Sequence, residues 1–332
     1  MSVTVTQPEI NTKERFADNK QRYGNHGKRV FEADTAEEVR DLLGDSTNII
    51  INGDFRIWQR GTSQGLTAGR QYLTDRFWAS SAGTNGQDKI TGLVHENAFQ
   101  VTAGSTNTMW VGQFIEDKNI LTNKTVTMTV QVVIPYGTAG CYLRVYDGTV
   151  GAGTLELFKF VPTGKLQTVS HTFNLGDHVD VSNFWTADIQ MSLSVGDTME
   201  IHEYQLNFGS QIVEFQERHI AEEIKLCQRY YQKSYDLDTA PGAITDAGMH
   251  VEFVSRNQPF FSTGVRFATR MRAIPTIQLY SNVTGNSGVV ENSGDKSTVA
   301  EKTGEAGITI THTATGISTA SLSWHYTANA EI

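Results

Sequence analysis

The amino-acid sequence predicts a mainly β protein: an N-terminal arm with a short helix, a β-sandwich, a connecting amphipathic helix and a C-terminal β-sandwich domain. Three observations lead there. Apolar residues make up 39% of the 332 and charged residues 19%, and the balance is filled by Gly, Thr, Ser and Asn, a mixture that suits strands joined by turns. Apolar and polar residues alternate through much of 47 to 218, which is the period of a half-buried strand. No long stretch is both apolar and regular enough for a multi-helix core, so the all-β class is favoured.

The elements follow in chain order. Residues 1 to 33 are polar, with Lys13, Arg15, Lys20, Arg22, Lys28 and Arg29 interleaved with Asn and Gly, and they read as an arm ordered by a partner or not at all. Thr35 and Glu38 form a capping box ahead of Val39, Leu42 and Leu43, and Gly44 closes a short helix. Ile49, Ile50 and Ile51 then read as the opening strand of the sandwich, broken at Asn52-Gly53 and resumed with Phe55 and Trp58. Alternation is clearest in Thr125 to Val130 and in Ile189, Met191, Leu193 and Val195. Met199 and Ile201 are apolar at odd positions, whereas Tyr204, Leu206 and Phe208 are apolar at even ones, so a bulge is expected near His202-Glu203.

Over 214 to 234 the period becomes helical, with Ile220, Ile224, Cys227 and Tyr231 on one stripe and Glu222, Glu223, Lys225, Arg229 and Lys233 on the other faces. A turn-rich joint at 236 to 242 is followed by strand patterns at 249–254, 260–267 and 276–280. Residues 281–306 have the composition of long exposed loops, and strands at 307–313 and 320–326 close the chain. The expected organisation is thus 1–46 arm with helix, 47–213 β-sandwich, which the resemblance given below makes a jelly-roll, 214–235 connecting helix and 236–332 C-terminal β domain.

Composition also limits function. A formal net charge of -9 and the lack of a Lys/Arg cluster argue against nucleic acid, which is held mainly by such clusters. The start Met1-Ser-Val-Thr-Val-Thr lacks the pattern of a secretory signal, and no run of about 18 apolar residues is present. The expectation is synthesis in a cytoplasm, with no membrane insertion. Cys141 and Cys227 are then reduced packing residues, not a disulfide.

Several constellations resemble chemistry and fail on context. Gly61-Thr-Ser63-Gln-Gly65 fits a nucleophile elbow in letters, but the next residues, Leu66-Thr-Ala-Gly-Arg, start no helix. It reads as a loop. Gly151-Ala-Gly153 lacks the third glycine of a dinucleotide loop and is a turn. Glu200, His202 and Glu203 have no second His or Cys cluster at ligand spacing, so they read as exposed polar residues at the bulge, and no metal is expected. Asp177, Asp180 and Asp188 read as solvated carboxylates, and no catalytic residue or cofactor is assigned. Trp58, Trp78 and Trp110 fall on strand positions that favour the core. Trp324 and Tyr326 point one way near the C-terminus, and with His325 and Tyr280 they form the candidate contact patch, although the same positions equally suit core packing of the second domain.

Asn48 to Gly61, Tyr72 to Trp78, Gln205 to Arg218 and Cys227-Gln-Arg-Tyr-Tyr231 together resemble the tail-fibre and receptor-binding proteins of tailed bacteriophages and prophages. The likeness spans 47 to 233. In that family a jelly-roll similar to carbohydrate-binding modules begins with the Asn-Gly-Asp-Phe element and ends with the Gln-Leu element and the Cys-Gln-Arg-Tyr-Tyr helix. Where the family usually has an acidic residue after Gln-Leu, this chain has Asn207. The resemblance implies a virion tail component, a homotrimer, whose arm docks on a tail or baseplate protein, with Arg15, Phe16, Arg22 and Tyr23 as candidate contacts. It also implies a distal domain that meets a host surface glycan or outer-membrane receptor, with Tyr280, Trp324, His325 and Tyr326 as the candidate patch. A structural adaptor and a polysaccharide depolymerase are the rival readings.

Overall fold

Twelve strands pair into two antiparallel six-stranded sheets in the computed structural model, which describes residues 47–66, 69–81, 83–148, 155–253, 261–312 and 321–332. The expected arm contacts Arg15, Phe16, Arg22 and Tyr23, the helix at 35–44 and Gly151–Gly153 lie outside the described residues. The strands are β1 (Ser63–Leu66), β2 (Gly69–Tyr72), β3 (Trp78–Ser81), β4 (Asn85–Thr91), β5 (Asn97–Ala103), β6 (Asn107–Glu116), β7 (Thr125–Val133), β8 (Ala139–Asp147), β9 (Leu155–Lys159), β10 (Gln167–Asn174), β11 (Phe184–Leu193) and β12 (Thr198–Phe208). One sheet runs β1-β4-β5-β12-β7-β10 and the other β2-β3-β6-β11-β8-β9.

Alternation decides which side chains the sandwich encloses. Trp185, Ala187, Ile189, Met191 and Leu193 of β11 face Val126, Met128, Val130 and Val132 of β7 within one buried cluster. In β12 the register slips between Ile201 and Glu203. That bulge lets Met199, Ile201, Tyr204 and Leu206 all enter the core, as the phase shift in the sequence requires.

The Ile49–Ile51 run is not a strand. Residues 47–62 form bends and turns, because Asn52 and Phe55 both take positive φ, 61° and 56°. A left-handed backbone is tolerated best by residues such as Asn. The Asn52 side chain secures it: Nδ2 donates to Ile57 O at 3.0 Å, Thr74 Oγ1 at 3.1 Å and Asp75 O at 3.1 Å, while Oδ1 accepts from Ile57 N at 2.9 Å. Gly53 follows because a Cβ there would lie 2.1 Å from Tyr204 O. Residues 63–66, expected as loop, form the strand β1 on β4.

The connecting helix is shorter than its period suggests. It spans only Ile220–Gln228 (α1), capped by His219. Ile220 remains exposed and Glu223, expected on an outer face, is buried. Arg218 pairs with Glu223 at 3.1 Å, and the Glu223 carboxylate accepts from Asn52 N. Tyr231, expected at the end of the helical stripe, instead opens β13 (Tyr231–Lys233), which pairs with the last strand of the chain. The C-terminal sheet therefore begins inside the segment 214–235 that the helical period assigned to the connector.

That last strand, β21 (Ser321–Asn329), is the spine of the C-terminal domain. It pairs with β13 and β16 (Thr276–Tyr280) near its end, and with β14 (His250–Phe253) and β17 (Val289–Glu291) near its start. β17 continues to β18 (Asp295–Ser297), and a three-stranded sheet of β15 (Phe261–Arg266), β20 (Gly307–His312) and β19 (Val299–Gly304) lies beside it. Residues 281–306 thus carry three strands rather than long exposed loops, and Ser281, Asn282 and Asn292 are buried there. Val265, Met271, Leu279, Ile310, Leu322, Trp324 and Tyr326 share one core. Among the described residues no helix is long and apolar enough to cross a membrane.

The two cores meet at a charged seam. Glu331 accepts from Arg60 at 3.1 Å and from Arg76, and all three side chains are buried or nearly so. Arg60 also reaches Asp75 at 3.5 Å and lies 3.9 Å from the centre of the Tyr231 ring. Arg76 lies 3.4 Å from the centre of the Tyr230 ring. Removing one member of a buried ion network leaves the others desolvated and unpaired. Glu331→Ala is expected to lower stability by about 3–5 kcal/mol, read from urea unfolding. A loss below about 1 kcal/mol, the range of a surface ion pair, would show that the seam is solvated.

Candidate outer-sheet binding face

The strand phase that leaves the core carries an unusual set of side chains on the outer face of β2-β3-β6-β11-β8-β9. Core positions on β6, β11 and β8 are odd-numbered, so even positions face outward. Cross-strand register aligns them in rows. Ser80, Trp110, Gln190 and Tyr142 form one row, and Trp78, Gly112, Asp188 and Arg144 the next. A third row contains Phe114, Thr186 and Tyr146.

Contacts turn these rows into one network. Arg144 donates to Asp188 through two nitrogens, at 2.7 and 2.6 Å, and to Gln190 Oε1 at 2.8 Å. The Tyr146 hydroxyl donates to Asp188 Oδ2 at 2.8 Å. Trp110 Nε1 donates to Gln190 Oε1 at 3.1 Å, and Thr108 and Ser192 hydroxyls lie 3.3 Å apart. The Arg70 guanidinium covers Trp78 and Phe114, at 4.8 and 4.4 Å from their ring centres.

Electrostatics divides the face in two layers. Burial raises the Asp188 carboxyl above the ordinary carboxylate range, against the opposing pull of the Arg144 fork and the Tyr146 hydroxyl. Burial also raises the Tyr146 phenol, with the Asp188 charge adding to it. The base of the face is thus a neutralised pair whose hydrogen-bonding atoms are committed to each other. In the neighbouring row, Trp110, Tyr142 and Gln190 are only half-buried. Adjacent strands lie about 4.8 Å apart, so the backbones that carry Trp110 and Tyr142 are roughly 10 Å apart with Gln190 on the strand between them. Apolar ring faces beside polar groups are what a saccharide contacts.

This face was only partly visible in the sequence. Trp110 was expected in the core and Asp188 as a solvated carboxylate; instead Trp110 is outward and half-buried, and Asp188 is buried and paired. The available signal is phase: Trp110, Arg144, Tyr146, Asp188 and Gln190 all occupy the outward positions of strands whose inward positions are mostly apolar. Trp58 and Trp78 are buried, Trp58 within the sandwich core.

The predicted C-terminal patch does not assemble. Trp324, His325 and Tyr326 are 1%, 0% and 5% exposed, and Tyr280 is half-buried. Trp324 and Tyr326 fill the second core. His325 lies under Tyr235, with ring centres 3.8 Å apart, and its two nitrogens bond Ser234 Oγ and Thr245 O, both at 2.9 Å. Both chemical faces of that imidazole are occupied. The central strand of a packed sheet presents neither face to solvent, and nearness to the chain end does not alter that.

At the β12 bulge, His202 and Glu203 are buried, not exposed. His202 accepts from Leu93 N at 3.0 Å and lies 3.1 Å from Glu200 Oε2. His95, in the same turn as Leu93, stands 3.3 Å from Glu203 and 3.4 Å from Glu217. Among the described residues no group of three or more His, Cys, Asp or Glu is arranged to hold a metal ion. Cys141 and Cys227 are free and buried, and burial raises both thiols.

No family model matches the chain, and no curated protein matches it. Similar solved structures include a domain of tailspike protein 4 of bacteriophage CBA120 described as enzymatically active, at 11% identity and TM-score 0.33, covering 48% of this chain and 21% of the other. This chain spans about a fifth of that tailspike domain's length. Others are the carbohydrate-binding module TmCBM61 in complex with beta-1,4-galactotriose, at 11% identity and TM-score 0.31, covering 48% and 97%, and a structure named CBM4, at 14% and 0.33, covering 47% and 97%. The strand pairing, rather than these likenesses, establishes the mainly β sandwich.

Two measurements follow from these contacts. Asp188→Ala is expected to destabilise the protein by about 3 kcal/mol or more because Arg144 stays buried without its counter-charge, whereas Arg144→Met with Asp188→Leu is expected to recover most of the loss. A double variant as unstable as Asp188→Ala alone would show that the pair is not coupled. The Glu203 hydrogen bond raises the His95 pKa against the opposing effect of burial, with Asp54 and Glu217 adding. Its folded pKa then exceeds the ordinary value near 6.5, so its contribution to stability is complete below about pH 6.5 and fades as pH rises through the folded value. His95→Gln should flatten the stability profile above about pH 6.5; an unchanged profile would place His95 outside the linkage.

Proposed function

We propose that the protein is a receptor-binding or tail-fibre component of a tailed bacteriophage or prophage, and that its jelly-roll binds a host surface saccharide without cleaving it. The observation that carries this is the Trp110–Gln190–Tyr142 row on the outer sheet face, with both rings half-buried on the strands that flank β11, beside the Arg144–Asp188 pair. Rigid strands hold the rings, so little side-chain freedom is lost on binding. The ordered motifs at 48–61, 72–78, 205–218 and 227–231, which resemble phage tail-fibre proteins, supply the virion setting.

In this reading the chain acts as a homotrimer. The arm, through Arg15, Phe16, Arg22 and Tyr23, docks on a tail or baseplate protein. Three weak sites on one trimer reach useful avidity through effective concentration, with no stronger single contact. The Asp188 carboxylate, held by Arg144 and Tyr146, serves to position the rows and takes no part in bond cleavage.

Trp110→Ala is expected to weaken saccharide or host-cell binding about tenfold, the worth of roughly 1–1.5 kcal/mol of aromatic contact, while leaving the unfolding midpoint within the scatter of surface substitutions. Titration against host polysaccharide by calorimetry reads the change. Equal binding by wild type and variant would remove the sheet face from the reading, and release of reducing ends from the polysaccharide would replace binding by depolymerisation.

A further inference from the structure

A second concave surface lies in the C-terminal domain, away from the jelly-roll face. It is a cleft of about 690 Å³ formed where β15, β19 and β20 meet the segment after β15, and Arg266, Arg270, Lys302, Glu305 and Ile274 are among the residues that line it. Backbone bonds fix its walls: Phe267 N donates to Ala306 O at 3.2 Å and Met271 N to Glu305 O at 2.8 Å. Its floor is apolar, with Val265 and Ile308 buried, and Ile274 stands exposed at the rim.

Charge is the feature that distinguishes it. The whole chain carries a formal charge of -9, yet among the described residues three cations and one carboxylate line this cleft. Arg270 and Glu305 neutralise each other at 2.6 Å. Among the described residues, Arg266 and Lys302 show no carboxylate partner. An unbalanced positive cleft on an acidic surface focuses the field onto an incoming anion.

The backbone at Lys302 supports the same conclusion. Lys302 sits where the β19–β20 register slips between Glu301 and Gly304, and its φ is +49°. A left-handed non-glycine residue costs about 1–2 kcal/mol, and a bulge re-aims the side chain it carries. Strain of this kind collects at functional sites. Among the described residues the lining offers charged and aliphatic side chains and no aromatic ring, a set suited to ionic recognition.

We infer that this cleft binds an anionic saccharide, one that carries a carboxylate or a phosphate, with Arg266 and Lys302 on the oxyanion and Ile274 against the apolar side of the sugar. The proposal deepens the attachment reading and takes its host-surface setting from it; the charge argument itself is independent.

The test uses the full chain with three immobilised probes: polygalacturonate for the carboxylate, a phosphorylated mannan for the phosphate, and dextran as the neutral control. Binding to at least one anionic probe is expected to exceed binding to dextran, and to weaken roughly tenfold or more in R266E/K302E, since two exposed attractive charges become repulsive. The probe that responds identifies the anion. Lys165→Glu, an exposed charge reversal on the jelly-roll, is expected to leave probe binding unchanged. Equal binding to all three probes, or equal binding by R266E/K302E and wild type with matching thermal midpoints, overturns the inference. The two proposals separate in a host-cell assay. Cell binding that R266E/K302E leaves intact, with no probe response, removes the cleft and leaves attachment standing. A cleft-dependent probe response without cell binding does the reverse.

Discussion

The Glu331 carboxylate, shared by Arg60 and Arg76, is the interaction on which the arrangement of the molecule depends. Two guanidinium groups are buried where the cores meet, and a buried charge is tolerated only when it is paired and hydrogen-bonded. Glu331 belongs to the chain end just after β21, whereas Arg60 and Arg76 belong to the turns that open the jelly-roll. The pairing therefore fixes the spine of the second domain against the first. Gln59 extends the junction, its Nε2 donating to the Tyr231 carbonyl at 3.0 Å and to Asp75 Oδ1 at 2.8 Å. Tyr72 adds a bond to Ile332 O at 3.1 Å.

The same region explains why motifs so far apart in the sequence read as one signature. Asn48 caps the β12 backbone by donating to Tyr204 O at 3.2 Å and accepting from Leu206 N at 3.0 Å. Arg218 donates to Ile50 O at 2.9 Å, and Arg229 grips Glu116 with bonds of 2.9 to 3.2 Å. Each motif supplies the partner that another needs, so their identities are constrained together. The effect reaches the candidate face, because Arg76 also donates to Phe114 O at 2.6 Å. Phe114 lies on β6, two positions beyond Gly112 and four beyond Trp110 on the outward phase, so the seam helps hold the strand that presents the Trp110 ring.

Periodicity made the sandwich legible and could not make the seam legible. Thr125 to Val130 and Ile189 to Leu193 declare their faces by alternation, and the phase change between Ile201 and Tyr204 declares the bulge. Ile49 to Ile51 carries the apolar content of a strand, but the positive φ at Asn52 is maintained by Thr74 and Asp75, partners that no local window contains. Tyr231 fits the helical stripe of Ile220, Ile224 and Cys227, yet pairing with Asn329 outweighs helix propensity, which is a weak prior against tertiary contacts. At the binding face, residue types were readable as outward positions, but the Arg144–Asp188 pairing follows from register between β8 and β11. Trp324 and Tyr326 showed their shared face correctly; which side of β21 was covered depended on β15 and β20.

The two proposed surfaces differ in physical design. On the jelly-roll face Arg144 is cancelled by Asp188 and Arg70 lies over the Trp78 and Phe114 rings, so discrimination along the Trp110–Gln190–Tyr142 row falls to ring shape and to hydrogen bonds whose strength changes little with salt. In the C-terminal cleft Arg266 and Lys302 keep their charge on an exposed surface, where attraction acts over about 8 Å at physiological ionic strength and weakens as salt rises. A charged contact of that kind speeds encounter, and a stacked contact slows departure. Because Glu331 locks the domains that carry them, the second contact forms without a further loss of interdomain freedom. On the proposed reading, a rigid pair of weak and unlike sites gains selectivity for a surface that offers both chemistries, since a surface offering only one cannot recruit the effective concentration that the linked sites provide.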